Sequence, residues 1–218
     1  MSTTKKKRNW TESDVMATFG LRPLTEDQLP LLQAWLAAPG SLLENERSEL
    51  EALRRKLEQN VRFWNEEELK MGFLAFILDM ADYNGPGYRA FFDREISAVV
   101  GKETLSVKAD YMLATGIGEL VQTPYFCFHE YKRHKKGADD PAAQLLLAML
   151  IAREANQDQK PIYGCYVIGQ MWYFVVFTHN DYATARPLDA TNAPELERIL
   201  LILRHFKTIL GGWLVRGE

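Results

Sequence analysis

Two short segments carry charged side chains of the types that metal-assisted hydrolysis needs. Asp110 lies among the polar positions of an alternating segment over residues 105–113, and Glu130 and Lys132 lie two positions apart in the next such segment. Side chains two apart on a β-strand leave from the same face, so Glu130 and Lys132 share a face. If the two strands are neighbours, Asp110 and Glu130 approach each other across the sheet. Such a carboxylate pair suits Mg2+ or Mn2+, and a lysine beside it can orient a water or stabilise charge on a phosphate.

The Glu-x-Lys spacing has little specificity by itself. It occurs again at Glu68 and Lys70, close to the start of a predicted helix, where we expect only a surface ion pair. The spacing of Glu130 and Lys132 is also compatible with a salt bridge on an edge strand, with Asp110 facing solvent. A further alternative is an unrelated α+β domain in which the acidic residues are merely surface residues.

Several helices are predicted from N-capping residues followed by apolar residues at three- and four-residue intervals. Asn65 is a suitable N-cap, and the three glutamates after it place negative charge in the first turn, where it interacts favourably with the helix dipole. Pro141 suits the first position of a helix that begins after Asp140. The predicted helices begin near Thr11, Thr25, Ser41, Asn65, Asp140 and Pro194.

Alternating or β-branched segments predict strands between these helices. A short strand is expected over residues 96–100 and longer ones over 105–113 and 125–132, with His129 on the opposite face from Glu130 and partly buried. Gly169 and Gln170 separate two aromatic segments and predict a β-hairpin. The helix after Asp140 has the length of a crossover between parallel strands, so we expect a mixed sheet with helices packed on it, an α/β (α+β) fold.

The composition excludes several classes of protein. The chain has 218 residues with 47% hydrophobic residues and a net charge of −3, which argues against disorder and against a nonspecific coat for nucleic acid. No apolar segment is long enough for a membrane span, and no apolar segment follows the basic N-terminus as in a signal peptide. Cys127 and Cys165 lie in apolar segments without a metal-ligand spacing, which favours buried thiols in a reducing compartment, the cytoplasm.

The segments FHEYKR, DPAAQLL and PIYGCYVIGQMWYFVV, together with Asp110 in KADYML, resemble the PD-(D/E)XK nuclease superfamily, and more narrowly a bacterial branch of it. The resemblance covers residues 65 to about 178. It implies a restriction-endonuclease-like core of order α-β-β-β-α-β, with an N-terminal helical extension. Ala109 stands where many members have proline, and that proline is commonly absent.

The resemblance implies a metal-dependent nuclease that hydrolyses phosphodiester bonds of nucleic acid, DNA in our expectation. Its metal ligands for Mg2+ or Mn2+ would be the carboxylates of Asp110, Glu130 and Glu66 and the backbone carbonyl of Tyr131. Lys132 would position the attacking water. Gln144 would orient Lys132 or contact a phosphate. Glu67 and Glu68 remain alternatives to Glu66 as the helix glutamate.

The sequence also predicts a division of the chain and a set of partners. We expect a disordered basic tail over residues 1–9, a helical extension over 10–62 and a nuclease-like core over 63–218. Arg133, Lys135 and Lys136 directly follow the predicted catalytic strand and are candidates for contacts with nucleic-acid phosphates, although such a run is also common in solvated loops. The resemblance admits a homodimer built on the N-terminal helices. The alternative function is a catalytically inactive module of the same fold that binds protein or nucleic acid.

Overall fold

A single mixed β-sheet forms the centre of the protein. The computed structural model describes residues 9–132 and 140–215. Its eight strands have the order β1-β7-β6-β5-β4-β3-β2, and β8 pairs with β6. The strands are β1 (Arg22–Leu24), β2 (Arg89–Val100), β3 (Glu103–Ile117), β4 (Leu120–Lys132), β5 (Ile162–Ile168), β6 (Met171–Thr178), β7 (Asp181–Thr184) and β8 (Leu188–Asp189).

Helices cover both faces of this sheet. They are α1 (Glu12–Phe19), α2 (Pro30–Leu36), α3 (Glu44–Asn60), α4 (Glu66–Leu69), α5 (Ala75–Ala81), α6 (Pro141–Asn156) and α7 (Ala193–Val215), with a 3-10 turn at Glu26–Gln28. A π-helical turn, Lys70–Leu74, joins α4 to α5. None of the helices in the described ranges has the length and apolar character needed to cross a lipid bilayer.

The pairing of the strands confirms the predicted mixed sheet. β2, β3 and β4 form an antiparallel meander, β4 and β5 are parallel across the α6 crossover, and β5 and β6 form the hairpin at Gly169. The first strand of the meander is longer than the predicted residues 96–100. Its residue Asp93 has a φ of 54°, which interrupts the alternation from which the strand was predicted.

The two faces of the sheet have separate hydrophobic cores. One core contains buried residues of α2, α3, α5 and α7, and the other contains residues of α6 with Val15 of α1. The N-terminal segment belongs to this structure, because β1 pairs with β7 in the central sheet. Trp35 of α2 is fully buried and donates a hydrogen bond of 2.9 Å from its indole N–H to the carbonyl oxygen of Ile202.

Helix starts agree with the capping signals except at Thr25 and Ser41. The capping box of Thr25 begins the 3-10 turn, and α2 begins only at Pro30. Thr11 and Asn65 both form capping boxes, and Asp140 accepts hydrogen bonds from the N–H groups of Ala142 and Ala143. The third helix begins at Glu44 rather than near Ser41. Its first turn is fixed by the Glu46 carboxylate, which accepts a hydrogen bond of 2.8 Å from the N–H of Leu43.

Gly164 allows α6 to pack closely on β5. A Cβ atom at this position would lie 2.7 Å from the carbonyl oxygen of Phe128 and 2.7 Å from Cε of Met149. Replacing Gly164 with alanine is therefore expected to lower the free energy of unfolding by about 2–3 kcal/mol through overpacking, as measured by denaturant unfolding. The control is Gly211→Ala in α7, where an added Cβ meets no atom within 4 Å and stability should be unchanged or raised by about 1 kcal/mol. Equal stability of Gly164→Ala and the native chain would contradict this packing argument.

Candidate active site

The candidate site lies where β3 diverges from β4. These strands pair as far as Tyr111 and His129, beyond which β3 continues to pair with β2 and β4 with β5. Asp110 is the first residue of β3 past this last pair. Asp93 lies at the same level of β2 and has a φ of 54°, so the backbone of β2 is irregular at this point. The divergence opens space at the end of the β3–β4 ladder in which side chains can meet.

The Asp110 carboxylate joins β4 to the helix that precedes β2. Its Oδ2 accepts a hydrogen bond of 2.9 Å from the backbone N–H of Tyr131, and its Oδ1 accepts one of 3.0 Å from Nζ of Lys70. The side chain is only 13% exposed. The interpretation of Asp110 as a solvent-facing residue is therefore wrong.

Glu130 is a buried carboxyl group on an interior strand. The residue is 2% exposed, and its Oε1 has no hydrogen-bond partner among the described residues. Burial raises the pKa of Glu130 well above its usual value, and the negative charge of Asp110 raises it further, while Lys132 and Lys70 act in the opposite direction. β4 lies between β3 and β5, so the alternative of an edge-strand salt bridge is wrong.

One glutamate of the helix start connects this site to two lysines. Oε1 of Glu66 lies 3.1 Å from Nζ of Lys70, and Oε2 lies 3.3 Å from Nζ of Lys132. Glu67 is 77% exposed at its side chain, and Glu68 accepts the hydrogen bond from the N–H of Asn65 in the capping box. Of the three candidate glutamates, Glu66 is the one that contacts both Lys70 and Lys132.

Lys70 was expected at the surface with Glu68, and that prediction is wrong. Its side chain is 19% exposed and its ammonium contacts Asp110, Glu66 and Glu67. Burial lowers the pKa of Lys70, but the hydrogen bonds and negative charges of Asp110 and Glu66 outweigh this effect and raise it above the usual range. The residue begins the π-helical turn, a distortion that is frequent at functional sites. The sequence did contain one signal for the contact between Glu66 and Lys70, because residues four positions apart on a helix are neighbours.

Gln144 and His129, two further residues considered in the sequence analysis, do not belong to the charged cluster. Gln144 lies in the first turns of α6, half-buried, and within the described ranges its side chain makes no hydrogen bond to Glu130 or Lys132. His129 is fully buried rather than partly buried, and burial lowers its pKa to about 3. Its Nδ1 lies 2.9 Å from the Tyr131 hydroxyl, while its Nε2 has no partner among the described residues. The histidine therefore remains neutral at physiological pH.

The candidate phosphate contacts directly follow Lys132 in the sequence. Arg133, Lys135 and Lys136 lie outside the described residues, as does most of the predicted basic tail at residues 1–9.

The donor atoms of the cluster suit a hard divalent cation. Asp110, Glu130 and Glu66 supply carboxylate oxygens, and the unpartnered buried Oε1 of Glu130 is an acceptor that a cation would satisfy. No three side chains of His, Cys, Asp or Glu in the described ranges are arranged as a ready metal-binding group. The Lys70 ammonium instead lies between Asp110 and Glu66. The carboxylate oxygens are therefore the kind of ligand that a divalent cation prefers, but the Lys70 ammonium lies between two of the carboxylates.

An open groove with a volume of about 1210 Å3 lies elsewhere, at the C-terminal end of α6. Among its lining residues are Arg153, His179 and Asp181, and none of the residues of the charged cluster lines it. Arg153 donates hydrogen bonds to the His179 carbonyl and the Asn180 side chain, so its charge is already engaged within the protein. The groove and the charged cluster are therefore separate parts of the protein.

Comparison with protein-family models finds no family that matches this chain, and comparison with curated proteins finds no match.

Proposed function

We propose that the protein is a divalent-metal-dependent nuclease that hydrolyses phosphodiester bonds, with DNA as its substrate, and that its core is of the restriction-endonuclease type. The observation that carries this proposal is the Glu130 carboxyl group. It is buried, has an unpartnered oxygen, and lies within electrostatic reach of Asp110 and two lysines. Buried ionisable groups with strongly shifted pKa values are typical of functional sites, because such an arrangement is costly for stability alone.

The order of elements also supports the proposal. A helix carrying Glu66 precedes the antiparallel strands β2, β3 and β4, and α6 then leads to the parallel strand β5. The resemblance implies this order, and it implies an acidic residue on the second strand and Glu-x-Lys on the third. Asp110 and the pair Glu130 and Lys132 occupy those strands.

Each residue has a role in the proposed reaction. Asp110 and Glu130 would hold Mg2+ or Mn2+, with the Tyr131 carbonyl and Glu66 as further ligands. A bound divalent cation lowers the pKa of a coordinated water and stabilises negative charge on the phosphate. Lys132 orients the attacking water, whose oxygen forms the new bond to phosphorus while one ester bond breaks. The water proton passes to solvent, and the leaving oxygen takes a proton from solvent.

A catalytically inactive binding module is the second candidate, and Lys70 is the observation that favours it. An ammonium that neutralises Asp110 and Glu66 can stabilise the acidic residues permanently, with no need for a metal ion. In that case the charged cluster would be structural, and the function would depend on other surfaces.

Cleavage of DNA in the presence and absence of metal distinguishes these candidates. We expect the full chain to cleave plasmid or single-stranded DNA with Mg2+ or Mn2+ and to be inactive in EDTA. Asp110→Asn, which keeps the size of the side chain, should lose the cleavage. The matched control is Asp93→Asn, because Asp93 pairs with Lys108 at the surface of the neighbouring strand. Equal cleavage by all three proteins would indicate a contaminating enzyme and contradict the assignment.

A further inference from the structure

We propose that Lys70 is an internal counter-cation that occupies the metal position of the site in the metal-free protein and is displaced when a divalent cation binds. This inference rests on the proposed function, because it concerns the same site. It assigns to Lys70, which lies outside the Glu-x-Lys pair of β4, control over the affinity for metal.

The position of the ammonium carries the inference. Nζ of Lys70 lies 3.0 Å from Asp110 Oδ1, 3.1 Å from Glu66 Oε1 and 3.4 Å from Glu67 Oε1. Three carboxylate oxygens therefore surround a single positive charge. Carboxylates surround Mg2+ and Mn2+ in the same way, at shorter distances.

The same contact places a positive charge directly on the carboxylate of Asp110. Oδ2 of Asp110 accepts the N–H of Tyr131, and Oδ1 accepts the hydrogen bond from Nζ of Lys70. A divalent ion bound by Asp110 would lie beside this ammonium, and the repulsion between the two positive charges favours displacement of Lys70. The contact between Lys132 and Glu66 does not involve Asp110.

Lys70 is also able to move. Its side chain retains 19% exposure and has a flexible four-carbon stem, so the ammonium can turn to solvent without a change in the fold. Glu130 is the group left without such a counter-cation, since its Oε1 has no partner among the described residues. In the metal-free site Asp110 therefore has a counter-cation and Glu130 Oε1 has no partner, and a divalent ion held by both carboxylates would supply the partner that Glu130 lacks.

Binding of Mn2+, measured by electron paramagnetic resonance, tests the inference without reference to activity. We expect the full chain with Lys70→Met to bind Mn2+ about tenfold more tightly than the native chain, since one charged hydrogen bond no longer has to be broken. Lys132→Met is the comparison within the cluster: Lys132 contacts Glu66 and not Asp110, so its gain in affinity for Mn2+ should be smaller than that of Lys70→Met, below about threefold. Lys108→Met, with an ion pair at the surface, should leave the affinity unchanged.

Lys70→Gln is a second variant for the case in which Lys70→Met destabilises the protein too much for binding to be measured. Glutamine still donates a hydrogen bond but carries no charge, so the variant should also bind Mn2+ more tightly than the native chain. Mn2+ should raise the Tm of both Lys70 variants by more than it raises the Tm of the native chain. Affinities for Mn2+ that are equal or weaker in both Lys70 variants would overturn the inference, and so would an equal gain for Lys132→Met.

The outcomes separate this inference from the proposed nuclease activity. If both Lys70 variants bind Mn2+ more tightly while no protein cleaves DNA, the inference stands and the nuclease proposal fails. If the native chain cleaves DNA but the Lys70 variants gain no affinity, the inference fails alone. Absence of Mn2+ binding in every variant would overturn both.

Discussion

Replacement of Glu130 by glutamine is expected to abolish cleavage and at the same time to raise the free energy of unfolding of the metal-free protein. The buried carboxyl group has a pKa well above its usual value, so the folded state binds its proton more tightly than the unfolded state does. As the pH rises from the unfolded pKa toward the folded pKa, stability is lost. Glutamine has the same shape and no charge, so Glu130→Gln avoids this loss.

Denaturant unfolding in EDTA at pH 5 and pH 8 measures the effect. We expect Glu130→Gln to exceed the native chain by about 2 kcal/mol at pH 8 and by less at pH 5, where the native carboxyl group is protonated. With Mn2+ the difference should shrink, because the cation stabilises the native carboxylate and not the amide. Glu119→Gln, an exposed position in the β3–β4 hairpin, should show neither change.

The same variant should lose cleavage by at least about 100-fold, since a removed metal ligand weakens both the binding of the cation and the stabilisation of charge in the transition state. A stabilised and inactive protein is the combination expected when a charged group is kept for function at a cost in stability. A variant that is less stable than the native chain at pH 8 in EDTA would mean that the folded protein supports the Glu130 charge better than its surroundings indicate.

The sheet around this site could be predicted because its strands follow simple periodicities. The alternation over residues 105–113 and the hairpin at Gly169 are local patterns, and the helix after Asp140 had the length of a crossover. Strands β1, β7 and β8 were not predicted, since each has no more than four residues and depends on its neighbours for pairing. The likeness to a nuclease core remains part of the proposal.

The carboxylate pair of the site could also be predicted, because two strand patterns in succession place Asp110 near Glu130. Lys70 could not, because its contact with Asp110 depends on where β3 diverges from β4, and no local pattern in the sequence marks that point. A helix start with three glutamates resembles any solvated helix start. Only the approach of a strand 40 residues later makes Lys70 part of the site.

Lys132→Met is expected to lower the rate of DNA cleavage by about 100- to 1,000-fold while leaving the binding of metal nearly intact, the range observed when one preorganised hydrogen-bond donor of an active site is removed. The ammonium is 16% exposed and is held by Glu66 at 3.3 Å, so it has a fixed position beside Glu130 rather than a solvated one. Methionine retains most of the unbranched side chain and removes the ammonium with its charge and its hydrogen-bond donors. Single-turnover cleavage at saturating Mn2+ measures this effect apart from the affinity for the cation.

Lys132→Arg separates a positioning role from a simple requirement for positive charge. A planar guanidinium cannot place one N–H where the compact ammonium lies, so arginine should restore little of the rate if Lys132 orients the water. Full activity of Lys132→Arg would show that only the charge matters, and full activity of Lys132→Met would remove Lys132 from the mechanism. Lys108→Met controls for the loss of one positive charge from the protein, and its rate should equal that of the native chain, because the Lys108 side chain is 60% exposed and pairs with Asp93 outside the cluster. The contrast between two methionine variants, on adjacent strands and with equal net charge, thus tests whether the position of the ammonium matters rather than its charge alone.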